Sequence, residues 1–312
     1  MFVPQILILF VMRIAGQACA WMLASSGLVA GACPESVADA RRQILRKHWS
    51  DAERALEICL AAEPEHADAT YWLAHVLFQT GRYADAAVRI SVYLKGAPAN
   101  AQAHKVHGLS LFMVGRHQEA RGALTQAVTL APDDAEAHYY YGRVLFSTNN
   151  PSAALIEFQR VLDLDPSSVR GYNHLGQSLE ALSRFEEAEA AYRKAIALEQ
   201  TQQARSEWPH YNLGLLRLKN GRQREAIPHF QAAIERQPKM WEAYVQLAVS
   251  LAADGRLELA ERELRTVLAS APDNADAHYQ MGRLLTKMGR RDEARPHFER
   301  FGQLKATPAR RN

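Results

Sequence analysis

The chain has 312 residues, with 37 Lys+Arg against 34 Asp+Glu, 48% apolar residues and 3 cysteines. That much apolar material with mixed charge excludes a disordered or collagen-like chain, and three cysteines are too few for a disulfide scaffold. A net charge of +3 is too small for bulk capture of nucleic acid, and the arginine excess (29 Arg to 8 Lys) points to a GC-rich genome rather than to a function.

Residues 1–32 carry one charged side chain, Arg13, and no acid. Apolar stretches flank it, from Ile6 to Met12 and from Ile14 to Ala32, and the second closes on Ala30-Gly31-Ala32 before Cys33. A positive start, an apolar middle and small residues at an A-x-A site read as a secretory signal peptide, with translation from Met12 placing Arg13 in the usual position. Three readings stand beside it. The 19 residues from Ile14 to Ala32 just span a bilayer as an uncleaved anchor. Cys33 is in place for lipidation, although Ala30 stands where bacterial lipoproteins carry Leu. The segment is otherwise a mis-assigned start on a cytoplasmic protein. Arg41, Arg42, Arg46 and Lys47 follow closely and oppose an anchor whose C-terminus lies outside. The expected location is periplasmic, secreted or membrane-anchored.

Beyond this segment a period of 34 dominates. Pro64, Pro98, Pro132 and Pro166 are 34 apart, and Pro238, Pro272 and Pro308 again. A fixed period in this range means stacked supersecondary units. Residues 33–66 form a degenerate capping unit, in which Trp49, Ala52, Leu56, Cys59 and Pro64 fall at positions 17, 20, 24, 27 and 32. Residues 67–202 hold repeats 1–4 and residues 207–308 hold repeats 5–7, with a short tail at 309–312. Position 20 is Ala in all seven blocks, from Ala86 to Ala294. Position 8 is always tiny: Ala74, Gly108, Gly142, Gly176, Gly214, Ala248 and Gly282. Position 24 is always large and apolar, as in Ile90, Tyr192 and Phe298. Apolar residues at 4, 7, 8 and 11, and at 17, 20, 24, 27 and 28, predict two helices per block. Closely touching antiparallel helices need a residue without bulk on each side, which positions 8 and 20 supply. Glycine at position 15 in five blocks predicts left-handed C-caps. Pro228 and Pro296, at position 22, predict that this position lies in the first turn of the second helix. Between Pro166 and Pro238 the spacing is 72, two periods plus four. The extra residues, 203–206, predict one added helical turn, ending near Ala204.

This pattern resembles the tetratricopeptide repeat over Ala67 to Pro308, with departures at His107, Arg217 and Gln200. The resemblance implies an all-α, right-handed superhelical solenoid of helix-turn-helix repeats. It also implies a concave groove lined by positions 2, 5, 9 and 12 of each first helix. The candidate groove residues are Tyr71, His75, Lys105, Tyr139, Arg143, Asn173, Gln177, Tyr211, Tyr279 and Arg283. Tyrosine and arginine combine area with directed hydrogen bonds, as binding surfaces require. The family's carboxylate clamp is not met, because Leu109 and Tyr140 stand where it needs Asn, and no asparagine ladder forms from Asn173 and Asn212.

Four of the twelve histidines, His104, His138, His210 and His278, share position 4, which argues for a packing or surface role. His104 and His107 lack a third ligand, so no metal or other cofactor is expected. Cys59, at position 27, reads as an inert core residue. The chain carries no HExxH, GxSxG, phosphate-cradling glycine loop or CxxC. The repeats fill residues 67 to 308, which leaves no room for a catalytic domain. The expected function is a non-catalytic scaffold or adaptor for a peptide or partner helix. The alternative is a regulatory or substrate-recruiting subunit of an enzyme or of a secretion or assembly complex. Helical-repeat RNA binding is disfavoured by the strict period and low charge. With no solvating helix fitting after Pro308, Phe298 and Phe301 are expected to be partly uncovered and open to a partner or to self-association.

Overall fold

The computed structural model describes residues 32–202 and 206–306. The leader reading of residues 1–32 (all but its last residue), the inserted residues 203–205 and the tail therefore lie outside the described residues. The described residues form sixteen helices and no strand. The chain divides into two units, the first ending at Asn150 and the second beginning at Pro151.

In unit 1 the helices are α1 (Ala32–Leu45), α2 (Trp49–Ala62), α3 (Ala67–Gln79), α4 (Tyr83–Gly96), α5 (Ala101–Met113), α6 (His117–Leu130) and α7 (Ala135–Ser147). Unit 2 contains α8 (Pro151–Leu164), α9 (Val169–Ala181), α10 (Phe185–Gln202), α11 (Trp208–Lys219), α12 (Gln223–Arg236), α13 (Trp241–Ala253), α14 (Leu257–Ser270), α15 (Ala275–Lys287) and α16 (Arg291–Ala306). Within each unit every helix packs on the next, as in a solenoid. Odd-numbered helices of one unit also touch one another in succession, as α3 does α1 and α5. They are the inner layer, and the even-numbered helices are the outer one.

The turn inside each repeat has one chemistry. The N–H of position 16 bonds to the C=O of position 11 at 2.9 Å in all eight helix pairs, from His48→Gln43 to Arg290→Leu285. This closure needs a left-handed residue at position 15. Gly81, Gly115, Gly221, Gly255 and Gly289 supply it with φ of 71 to 84°, and Lys47, Asn149 and Ser183 adopt it with φ of 58 to 61°. The turn between repeats is closed differently. Position 34 caps the next first helix: the side chains of His66, Asn100, Asp134, Ser168 and Asn274 accept an N–H from two or three residues on.

The helix contact departs from expectation. Position 8 faces the large residue at position 24 rather than only the small one at 20. A Cβ on Gly176 would meet Tyr192 Cε1 at 2.5 Å, and one on Gly214 or Gly282 would meet Phe230 or Phe298 at 2.8 Å. The backbone of Ala120 does approach Gly108, at 3.3 Å from its missing Cβ. Volumes are matched along the chain: every block with an aromatic at 24 has glycine at 8, whereas Ala74 and Ala248 go with Ile90 and Leu264.

Pro228 and Pro296 are not in the first turn of their helices; each is the sixth residue of α12 or α16. Each removes one backbone bond, which position 22 tolerates because it is exposed and water reaches the freed carbonyl. α10 has 18 residues where α12 and α14 have 14, a difference of one helical turn.

Cys59 is not an inert core thiol. It is disulfide-bonded to Cys33, with Cα atoms 4.6 Å apart. Antiparallel α1 and α2 bring the start of one beside the end of the other. The period located Cys59 but showed no helix for residues 33–45. A sulfur so used is not available for a lipid thioether.

Candidate functional site

Positions 5 and 9 lie on the inner-layer helices, and each candidate residue has a definite place there. In unit 1, Tyr71 and His75 are half-buried. The Tyr71 ring lies 5.1 Å from Tyr93 and 5.2 Å from Trp72, while His75 lies 5.8 Å from Trp72, which also carries Arg41 at 5.3 Å. Burial raises the Tyr71 pKa and lowers that of His75, so both are neutral near pH 7. Lys105 is buried, and its Nζ donates to Asp134 at 2.8 Å and Glu136 at 3.0 Å. Burial works against its charge, but the two carboxylates outweigh it and raise the pKa. Asp134 also caps α7 through its other oxygen, so one carboxylate fixes both the helix and the lysine. Tyr139 is buried against Tyr140, with ring centroids 5.1 Å apart. Arg143 is half-buried, its guanidinium 5.0 Å from Phe112, 5.7 Å from Tyr140 and 5.9 Å from Tyr139. Three ring faces surround one cation, which has no acidic partner among the described residues.

In unit 2, Asn173 is buried and accepts from Asn212 Nδ2 at 2.9 Å. Gln177 Oε1 lies 2.6 Å from His174 Nδ1. Tyr211 is half-buried between Trp208 and Phe230, and burial followed by the charges of Glu242 and Asp276 raises its pKa. Tyr279 is exposed, with Arg283 at 5.7 Å and Phe301 at 5.1 Å. Lys305 sits over Phe301, and Phe298 is 37% exposed. Of the ten candidates, Lys105, Tyr139 and Asn173 are held inside by their neighbours, and the other seven present surface.

The recurring histidines have a structural task. His104, His138 and His278 place Nε2 within 2.8 to 3.1 Å of the carbonyl of Pro98, Pro132 and Pro272, the closing proline six residues back. Each fastens the loop between repeats. His210 has Gln200-Thr201-Gln202 before it instead of that proline turn, and its buried Nε2 has no hydrogen-bond partner. It lies 3.9 Å from Glu199, which accepts from Ser206 N–H and from Arg236. His229 Nδ1 lies 3.4 Å from His210 Nδ1, and Arg217 donates to His229 Nε2 while pairing with Glu189. The repeat departure at Arg217 is therefore a charge whose two terminal nitrogens are paired with groups on two neighbouring helices. Cys33, Cys59 and His66 bring sulfur and nitrogen atoms within 4.8 Å of one another, but the two sulfurs are bonded to each other and offer no thiolate.

Family models described as tetratricopeptide repeat match residues 105–169 and 211–275, residues 168–239, and residues 251–300. One described as anaphase-promoting complex, cyclosome, subunit 3 matches residues 46–127. Among curated proteins, mouse DnaJ homolog subfamily C member 3 is 34% identical over 100 residues, which is 32% of this chain and 19% of that protein. The chain thus spans less than a fifth of the length of the curated relatives it matches. Among solved structures, a tetratricopeptide repeat protein from Parabacteroides merdae superposes with a TM-score of 0.64 at 15% identity, covering 81% of this chain and 99% of that one. A chain of the APC/C hetero-tetramer Cut9–Hcn1 gives 0.62 at 16% identity, covering 96% of this chain and 57% of that one. At these identities the likeness is one of fold.

Proposed function

The chain belongs to the tetratricopeptide repeat family, and we propose that it is a non-catalytic protein-interaction scaffold whose inner-layer face, in each unit, receives a peptide or a partner helix. One observation carries this reading. Arg143 and Arg283 occupy the same repeat position, Arg143 over three aromatic rings and Arg283 over the Tyr279 ring, and neither is neutralised by an acid among the described residues. An arginine preorganised on a ring but left unpaired has its donors free for a partner.

The test is a crosslinking pull-down with the wild type beside an Arg143→Glu/Arg283→Glu variant. Proteins lost from the variant alone are clients of the face, and their identity separates an adaptor from a recruiting subunit of an enzyme or assembly complex. Identical lists reject the assignment. The exposure of Phe298 supports a further contact at that end of unit 2, and a monodisperse monomer at high concentration by light scattering removes self-association there.

Export is supported by the Cys33–Cys59 disulfide, because such bonds persist in oxidising compartments and are rare in the cytosol. No helix among the described residues is long and apolar enough to cross a membrane. Intact mass of the native protein, with and without reduction and alkylation, is expected to give a cleaved N-terminus and two thiols released only by reductant. An N-terminus starting at Met1 or Met12 with both thiols free removes the export reading.

A further inference from the structure

Resting on that face being a binding face, its chemistry in unit 2 specifies what it takes. A pit of about 320 Å³ opens between α13 and α15. Ala248, Val249 and Ala252 of α13 and Leu284 of α15 line it, with buried Leu264 of α14 behind them. Ala252, which lines it, stands at position 12 of α13, where α3, α5 and α7 have Phe78, Phe112 and Phe146. A phenyl ring at that position would fill much of such a space. Open apolar walls of this kind accept an aliphatic side chain from outside.

The rim has one sign of charge. Arg283 and Lys287 both line the opening and both are exposed. Neither forms an ion pair among the described residues. Arg283 rests against the ring of Tyr279. Lys287 Nζ donates to the carbonyl of Ala252 at 2.5 Å, which uses one of three donors and anchors the ammonium at the mouth. The acids of the same helices, Glu242 and Asp276, are at position 2, seven residues before position 9 and hence about 10 Å away along the helix axis. The face is thus acidic at one edge and basic around the pit. A carboxylate arriving at the pit meets two cations with free donors, whereas an ammonium meets repulsion.

We propose that this pit binds a partner-protein segment in which an aliphatic side chain is flanked by aspartate or glutamate. The aliphatic group fills the space between α13 and α15, and the adjacent carboxylate bridges Arg283 and Lys287. Alanine and valine walls offer no stacking surface for a nucleobase, which turns the cationic rim toward an acidic peptide rather than toward nucleic acid.

The experiment is fluorescence anisotropy on the full chain with three labelled twelve-residue probes. The first is built from Asp, Glu and Leu, the second has Lys for the acids, and the third has Ala for the leucines. The first probe is expected to bind at least tenfold more tightly than the other two, and more weakly as salt is raised. Arg283→Glu/Lys287→Glu is expected to lower its affinity at least tenfold. Ala252→Phe, which fills the pit and leaves the charges, is expected to abolish the preference for leucine over alanine. Unchanged circular dichroism shows that the variants fold. Binding of the lysine probe that is lost in Tyr279→Ala overturns the acidic assignment and leaves a peptide-binding face. Failure of all three probes, while the pull-down still separates wild type from variant, overturns the pit and leaves the scaffold reading. Equal binding of the first probe by wild type and both variants overturns the pit as well.

Discussion

A side chain at Gly176 has nowhere to go, since even a methyl would stand 2.5 Å from the Tyr192 ring, which is buried and tied to Glu180 through its hydroxyl. Gly176→Leu is expected to lower stability by about 1–3 kcal/mol, read as a fall in the chemical-denaturation midpoint. Ser183 is the opposite case. It holds φ of 61°, a conformation costly for any residue with a Cβ, at a site where five other repeats have glycine. Ser183→Gly is expected to raise stability by about 0.5–1 kcal/mol, the relief of strain exceeding the added freedom of the unfolded chain. No change would mean that the serine is not strained there. His210 and His229 make a third residue-scale prediction. Burial, then the charges of Arg236 and His229 at His210 and of Arg217 and Arg193 at His229, push both pKa values down to about 4. The unfolded chain, with histidine near about 6.5, then binds more protons than the folded one between those values. These groups therefore leave stability flat above pH 7 and lower it as pH falls from 6.5 toward 4. Glu199, whose pKa burial raises, gives a slope of the other sign at the acid end. The thermal midpoint should fall between pH 6.5 and 5, and His229→Gln should flatten that fall; an equal fall in the variant would move the cause elsewhere.

At the scale of elements, the helix pairs owe their identity to two turn designs that share little. The turn inside a repeat is backbone closure through a left-handed residue, which the glycines announced in the sequence. The turn between repeats is side-chain work: a cap at position 34 and a histidine at position 4 bonded to the proline carbonyl. The position-4 histidines were visible as a recurrence, but their partner is a main-chain oxygen and has no residue signature. The α1–α2 pair has a third device, the Cys33–Cys59 bond closing 26 residues of chain. Loop-closure entropy for that length is about 3–4 kcal/mol. Cys59→Ser, or reduction of the wild type, is expected to lower stability by up to that amount, and a loss below about 0.5 kcal/mol would show that helix packing alone holds the pair.

Across the molecule, stability in stacked repeats is local, because each helix touches only near neighbours in the chain. Reduction should therefore weaken hydrogen-exchange protection most in α1 to α3, with little change in unit 2; uniform loss would mean that the chain unfolds as one body. The interruption between repeats 4 and 5 is where the regular apolar interface gives way to Asn173–Asn212, Arg217–Glu189 and Arg236–Glu199. Of that polar interface the sequence showed the Arg217 departure and the four extra residues, but not the pairing, because partners 28 to 39 residues apart carry no mutual spacing rule. The same limit applies to the binding face. Tyr71, Tyr211, Tyr279, Arg143 and Arg283 were placed on it by position alone, and position does not say that Lys105 and Asn173 turn inward to Asp134, Glu136 and Asn212. What the sequence by itself determined is the repeat: its length, its two helices, its glycine turn and the helix face that can meet a partner, all consequences of local periodicity. Only the tertiary structure decided the disulfide, the caged arginine and the pit beside Ala252, because each depends on which side chains distant in sequence arrive at the same point.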